Sequence, residues 1–73
     1  MDIELTGNEA LYVELDNGKK VSCQNCNVCI LGNGDIAVSR RISDKVYMTT
    51  YYAKHIVYYT LTLNIERGVD KND

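Results

Sequence analysis

The chain has 73 residues, a net charge of −2 and no proline, which describes one small domain with a core thin enough that pairing with a second copy is expected. Eight Lys and Arg against ten Asp and Glu leave no general attraction for nucleic acid or anionic lipid. No apolar run approaches the ~20 residues of a membrane-spanning helix, and Met1-Asp2-Ile3-Glu4 lacks the basic and apolar regions of a signal peptide, so a cytoplasmic protein with no membrane partner is expected.

In chain order, Met1 to Thr6 can add an edge strand before a turn at Gly7-Asn8. Leu11, Val13 and Leu15 alternate with Tyr12 and Glu14, the period-2 pattern of a half-buried strand. Asp16-Asn17-Gly18 then reverses the chain, and Lys19 to Cys23 returns as the partner. Asn-Gly between alternating apolar residues points to a tight hairpin turn with φ > 0 at both central positions. Val28-Cys29-Ile30-Leu31 is an unbroken apolar run, which suggests a central strand covered on both faces. A second reversal at Gly32-Asn33-Gly34-Asp35 leads into Ile36 to Ile42, with Ile36 and Val38 on the inner face.

Beyond Ser43-Asp44 two readings compete. The favoured one takes Val46 to Tyr52 as a strand, a break near Ala53-Lys54, and a strand from Ile56 to Ile65 with Val57, Tyr59, Leu61 and Leu63 on one side. The other caps a helix with Ser43 or Asp44 and runs it over about 44 to 56, stacking Tyr47, Tyr51 and His55 on one face. Thr49-Thr50-Tyr51-Tyr52 disfavours the helix, because these side chains lose rotamer freedom against the preceding turn. The fold class is therefore all-β: an antiparallel meander, barrel or sandwich of five to seven short strands over residues 1 to 65. The α+β version with one helix is the alternative, and the polar stretch from 66 to 73 reads as a flexible tail.

Three cysteines in a reducing compartment are free thiols or metal ligands. Cys23, Cys26 and Cys29 are spaced Cys-x2-Cys-x2-Cys. Alone, or joined by His55, the only histidine, the three thiols spell a zinc knuckle. On a continuous strand Cys23 and Cys29 would sit about 20 Å apart at roughly 3.3 Å per residue, so metal binding requires the chain to fold back between them. The plainer reading puts Cys29 in the core as a small apolar residue, with Cys23 and Cys26 flanking a turn. No cofactor is expected.

No nucleophile elbow, phosphate loop or helix-borne His-Glu-x-x-His is present, and a lone histidine among three cysteines gives a nucleophile no anchored base. The expectation is a non-enzyme. Tyrosine, at six copies, is the only aromatic type. The doublets Tyr51-Tyr52 and Tyr58-Tyr59 must each send one ring to either side of a strand, and exposed tyrosine favours protein interfaces. A partner-binding surface of Tyr51, Tyr52 and Tyr58 with Arg40 and Arg41 is the working reading. The protein is then a protein-binding module, plausible as a homodimer, that occludes or bridges its partner. Asn, Lys, Ile and Tyr supply 24 of the 73 residues, a bias that A/T-rich coding produces, and the small size fits a phage or mobile-element inhibitor of a host system. The competing reading is a single-stranded nucleic-acid-binding β-barrel, in which Lys19-Lys20 and Arg40-Arg41 track phosphates and the rings stack bases.

Overall fold

The computed structural model describes residues 1–64, so the tail expected at 66–73 lies outside the described residues. Seven strands follow one another: β1 (Asp2–Glu4), β2 (Ala10–Leu15), β3 (Lys20–Gln24), β4 (Asn27–Ile30), β5 (Ile36–Ile42), β6 (Lys45–Tyr51) and β7 (Ile56–Thr62). One turn of 3-10 helix, Ala53–His55, separates β6 from β7. The helix considered for 44 to 56 does not form. Val46, Tyr47, Thr49, Thr50 and Tyr51 are β-branched or aromatic, and their preference for a pleated surface prevails.

The strands form two antiparallel sheets, β1-β4-β5-β6 and β3-β2-β7. Their facing sides enclose the core. Leu11, Val13 and Cys23 come from the three-stranded sheet, Val28, Ile36 and Val38 from the four-stranded one, and Leu5 and Cys26 from the connections between them. Burying each large aliphatic side chain contributes about 1.5–3 kcal/mol. Leu11 and Val13 are fully buried because β2 is the centre strand of its sheet.

The reversals are three-residue loops rather than the two-residue turns expected. Leu15 N–H donates to Lys19 O at 2.9 Å and Gly18 N–H to Leu15 O at 2.9 Å; Leu31 N–H donates to Asp35 O and Gly34 N–H to Leu31 O, again at 2.9 Å. Only the glycines, Gly18 at φ 88° and Gly34 at φ 95°, enter the left-handed region, while Asn17 and Asn33 do not. Asparagine acts through its side chain instead. Asn17 Oδ1 accepts from Lys19 N–H at 2.9 Å and Asn33 Oδ1 from Asp35 N–H at 3.0 Å, the backbone-mimicking turn that this residue favours. Ser43-Asp44 is a two-residue reversal between the paired strands β5 and β6, with Ser43 at φ 58°.

Glu9 ties the two ends of the described chain together. It is fully buried. Its carboxylate accepts from Thr6 N–H at 3.1 Å and, from just past the end of neighbouring β7, from Asn64 N–H at 3.0 Å. At the opposite end Asp35 Oδ1 accepts from Ala53 N–H at 2.7 Å, docking the β4–β5 turn under the 3-10 turn. Gly34 fits there as well: at φ 95° a side chain would strain the backbone, and its Cβ would sit a tight 3.2 Å from the Ala53 methyl.

Two details of the sequence reading are corrected. β4 is central in its sheet, yet only its inner face is covered: Val28 is buried while Cys29 is half-buried on the outer side and Leu31 is exposed. No layer packs on that outer face among the described residues. The cysteine roles are also exchanged, since Cys23 and Cys26 are core residues and Cys29 is not.

Candidate functional site

The β5–β6 hairpin is built in two halves. Its inner half is anchored by Ile36 and Val38, and β4 pairs with β5 from Ile36 as far as Ser39. Because β4 begins at Asn27, β5 from Arg40 to Ile42 and the facing Lys45 to Tyr47 pair, among the described residues, only with each other. The outer half therefore projects beyond the sheet. Strand alternation then puts Ile42 and Tyr47 on its core-facing side and Val46 and Met48 on the other, and all four are exposed, Met48 at 73%. Both faces of the hairpin therefore carry exposed apolar side chains beside Arg40, Arg41 and Lys45.

On the core-facing side, the hairpin and β3 bound an open groove of about 420 Å3. Val21 and Cys23 form one wall, and Arg40, Ile42, Tyr47 and Tyr51 the other. Arg40 stands directly opposite Tyr47 in the register. Its guanidinium partly offsets the effect of burial, which pushes the Cys23 and Cys26 thiols above their ordinary value. Burial also raises the Tyr51 hydroxyl. The groove accordingly offers apolar walls, neutral hydroxyls and thiols, and one fixed positive charge.

The residues singled out from the sequence are dispersed. Tyr51 and Arg40 line this groove, while Arg41 pairs with Val46 on the outer face of the same hairpin. Tyr52 follows β6 at the far end, beside His55. Tyr58 lies on the outer face of the other sheet, its ring 5.8 Å from that of Tyr12, and a hydrogen bond with Tyr12 raises its hydroxyl pKa. Ile42, Val46, Tyr47 and Met48 were missed. Their signal was present in the alternation, which from 42 to 48 puts apolar side chains on both faces of the hairpin.

The metal candidates also separate. Cys23 and Cys26 are both core residues, close enough that each thiol influences the other's pKa. Cys29 sits on the outer face of its sheet against Asp2, whose hydrogen bond raises its pKa. His55 is elsewhere again, with Nδ1 3.0 Å from Asp16 Oδ2 at an exposed corner. The chain does turn back between Cys23 and Cys26, through Asn25 at φ 53°, but β4 then carries Cys29 to the other side of its sheet. Among the described residues no group of three or more His, Cys, Asp or Glu could hold a metal ion.

No helix of the described chain is long and apolar enough to cross a membrane. No protein-family model, curated protein or solved structure matches the chain.

Proposed function

We propose that this protein is a non-catalytic protein-binding module and that the projecting β5–β6 hairpin is the surface it offers. The observation that carries the reading is the outer half of that hairpin with the adjoining Met48, where Ile42, Val46, Tyr47 and Met48 stay exposed on both faces. Exposed apolar residues gathered on one element mark an interaction site. β6 adds a backbone edge with no second strand beside it among the described residues, so an extended segment of a partner can continue the sheet while its side chains enter the groove beside Tyr47 and Tyr51. Arg40 suits an acidic residue on that segment, because its planar fork matches a carboxylate. The module acts stoichiometrically, by covering or bridging its partner.

Charge placement favours a protein over a nucleic acid. Lys19 and Lys20 belong to the β2–β3 hairpin and Arg40 and Arg41 to opposite faces of β5, so the cations do not line a common track beside a ring stack. The Tyr12 and Tyr58 pair shares its face with Glu14, which lies directly opposite Tyr58 in the register. An enzyme is disfavoured on similar grounds, because burial holds the Cys23 and Cys26 thiols protonated and away from the His55–Asp16 pair.

Affinity capture from the source cell, with bound proteins identified by mass spectrometry, compares the wild type with an Ile42→Ser, Tyr47→Ser variant and with a Tyr52→Ala, Tyr58→Ala variant. A specific partner lost with the first and retained with the second is the expected result. Equal recovery by all three would remove the hairpin from the reading.

A further inference from the structure

β7 is the other long edge. Its one neighbour among the described residues is β2, and the hydrogen bonds of the adjoining turns fix which of its backbone groups that neighbour uses. Leu15 N–H donates to Lys19 O and Asp16 N–H to His55 O, so odd-numbered residues of β2 turn their backbone toward β3 and even-numbered ones toward β7. Through the register Tyr12↔Thr60 and Glu14↔Tyr58, the backbone groups of Thr60 and Tyr58 are taken up by β2. Those of Tyr59 and Leu61 point outward from the edge.

Natural edge strands are blunted by charge, proline or brevity. β7 has none of these, since Ile56–Thr62 runs Ile-Val-Tyr-Tyr-Thr-Leu-Thr over seven residues. Its single irregularity is a bulge near its start, opposite Glu14 and Leu15. The side chains at the outward-pointing positions also lie on the core-facing side. They are only partly covered, with Tyr59 42% exposed and Leu61 half-buried, because this sheet has three strands against four in the other.

We infer that β7 pairs antiparallel with β7 of a second copy across a twofold axis, fusing two three-stranded sheets into one six-stranded sheet ordered β3-β2-β7-β7-β2-β3. This goes beyond the hairpin reading and uses a different edge. Self-pairing is favoured by charge: each chain carries a net −2, and the uncharged β7 is a stretch along which two copies can meet with no like charges opposite. It is favoured by register too. Centred on Tyr59, the pairing uses the whole strand, setting Val57 opposite Leu61 and Tyr58 opposite Thr60 of the second copy. The outward-pointing residues then bond to one another, and the core-facing stripes of the two copies run side by side.

Sedimentation equilibrium of the full chain tests the inference without any partner protein, so its failure is distinct from failure of the hairpin reading. Tyr59→Pro removes an outward N–H that β2 does not use, and Val57→Lys adds a charge at the edge without touching the backbone. Met48→Lys, on β6, is the control. The expected result is a wild type of twice the 8.3 kDa chain mass, with both β7 variants dissociating at roughly tenfold or more higher concentration. Their far-ultraviolet dichroism should stay unchanged, and Met48→Lys should remain paired. A wild type that is monomeric at its highest soluble concentration overturns the inference. So does a dimer that survives in every folded β7 variant, which would assign the contact to another surface.

Discussion

β2 and β6 are similar strands with opposite fates. Ala10–Leu15 reads Ala-Leu-Tyr-Val-Glu-Leu and Lys45–Tyr51 reads Lys-Val-Tyr-Met-Thr-Thr-Tyr. Both offer large apolar side chains at alternate positions, yet Leu11 and Val13 are sealed while every residue of β6 before Tyr51 is exposed. The difference lies in position. β2 is flanked on both sides and faced by the other sheet, whereas β6 is the last strand of a hairpin that outruns its neighbours. Burial in so small a sandwich belongs to the centre of each sheet, and the margins stay exposed.

Truncation should expose that contrast most sharply. Leu11→Ala is expected to cost about 2–5 kcal/mol, since a fully buried leucine loses both its transfer energy and its packing. Met48→Ala on β6 should fall within about 0.5 kcal/mol of wild type. Urea unfolding of the two variants checks this, and comparable losses would mean that the hairpin is packed rather than free.

A somewhat smaller effect tests whether the sealed region depends on its one buried acid. Glu9→Ala leaves the Thr6 and Asn64 N–H donors without their carboxylate, a loss of about 2–3 kcal/mol. Glu9→Gln, which keeps an acceptor, should recover part of it. Thermal unfolding followed by dichroism distinguishes the two.

The smallest effect concerns pH. The folded state raises the Cys23 and Cys26 thiols, chiefly by burial, so folded protein holds these protons more tightly than unfolded chain. The corresponding stability is complete below the unfolded thiol pKa, roughly 8.5, and is lost as pH climbs through the higher folded values. Stability should thus decline on the alkaline side, and the decline should flatten in a Cys23→Ala, Cys26→Ala variant. An identical alkaline slope in both proteins would remove the thiols as its cause.

Much of the sandwich was legible because local chemistry and global fold agree. Asn17-Gly18, Gly34 and Ser43-Asp44 mark real reversals, and the alternation in Leu11–Leu15 and Ile36–Val38 names the true core faces. The turn type was misjudged because an asparagine can satisfy a turn through its side chain at negative φ as readily as through its backbone at positive φ. The site was less legible. Residue type groups Tyr51, Tyr52, Tyr58, Arg40 and Arg41, but the fold keeps only Tyr51 and Arg40 in one groove and sends the other three elsewhere.

By itself, then, the order of residues determined most of the strands and the places where they turn back, and favoured strand over a long helix between 44 and 56, since each follows from interactions within a few positions along the chain. Tertiary structure alone decided that β3, β6 and β7 are edges, that Cys23 and Cys26 are core while Cys29 faces outward, and that β5 and β6 reach past β4. Those outcomes depend on where distant segments end relative to one another, here Asn27 against Arg40, and no local pattern carries that length difference.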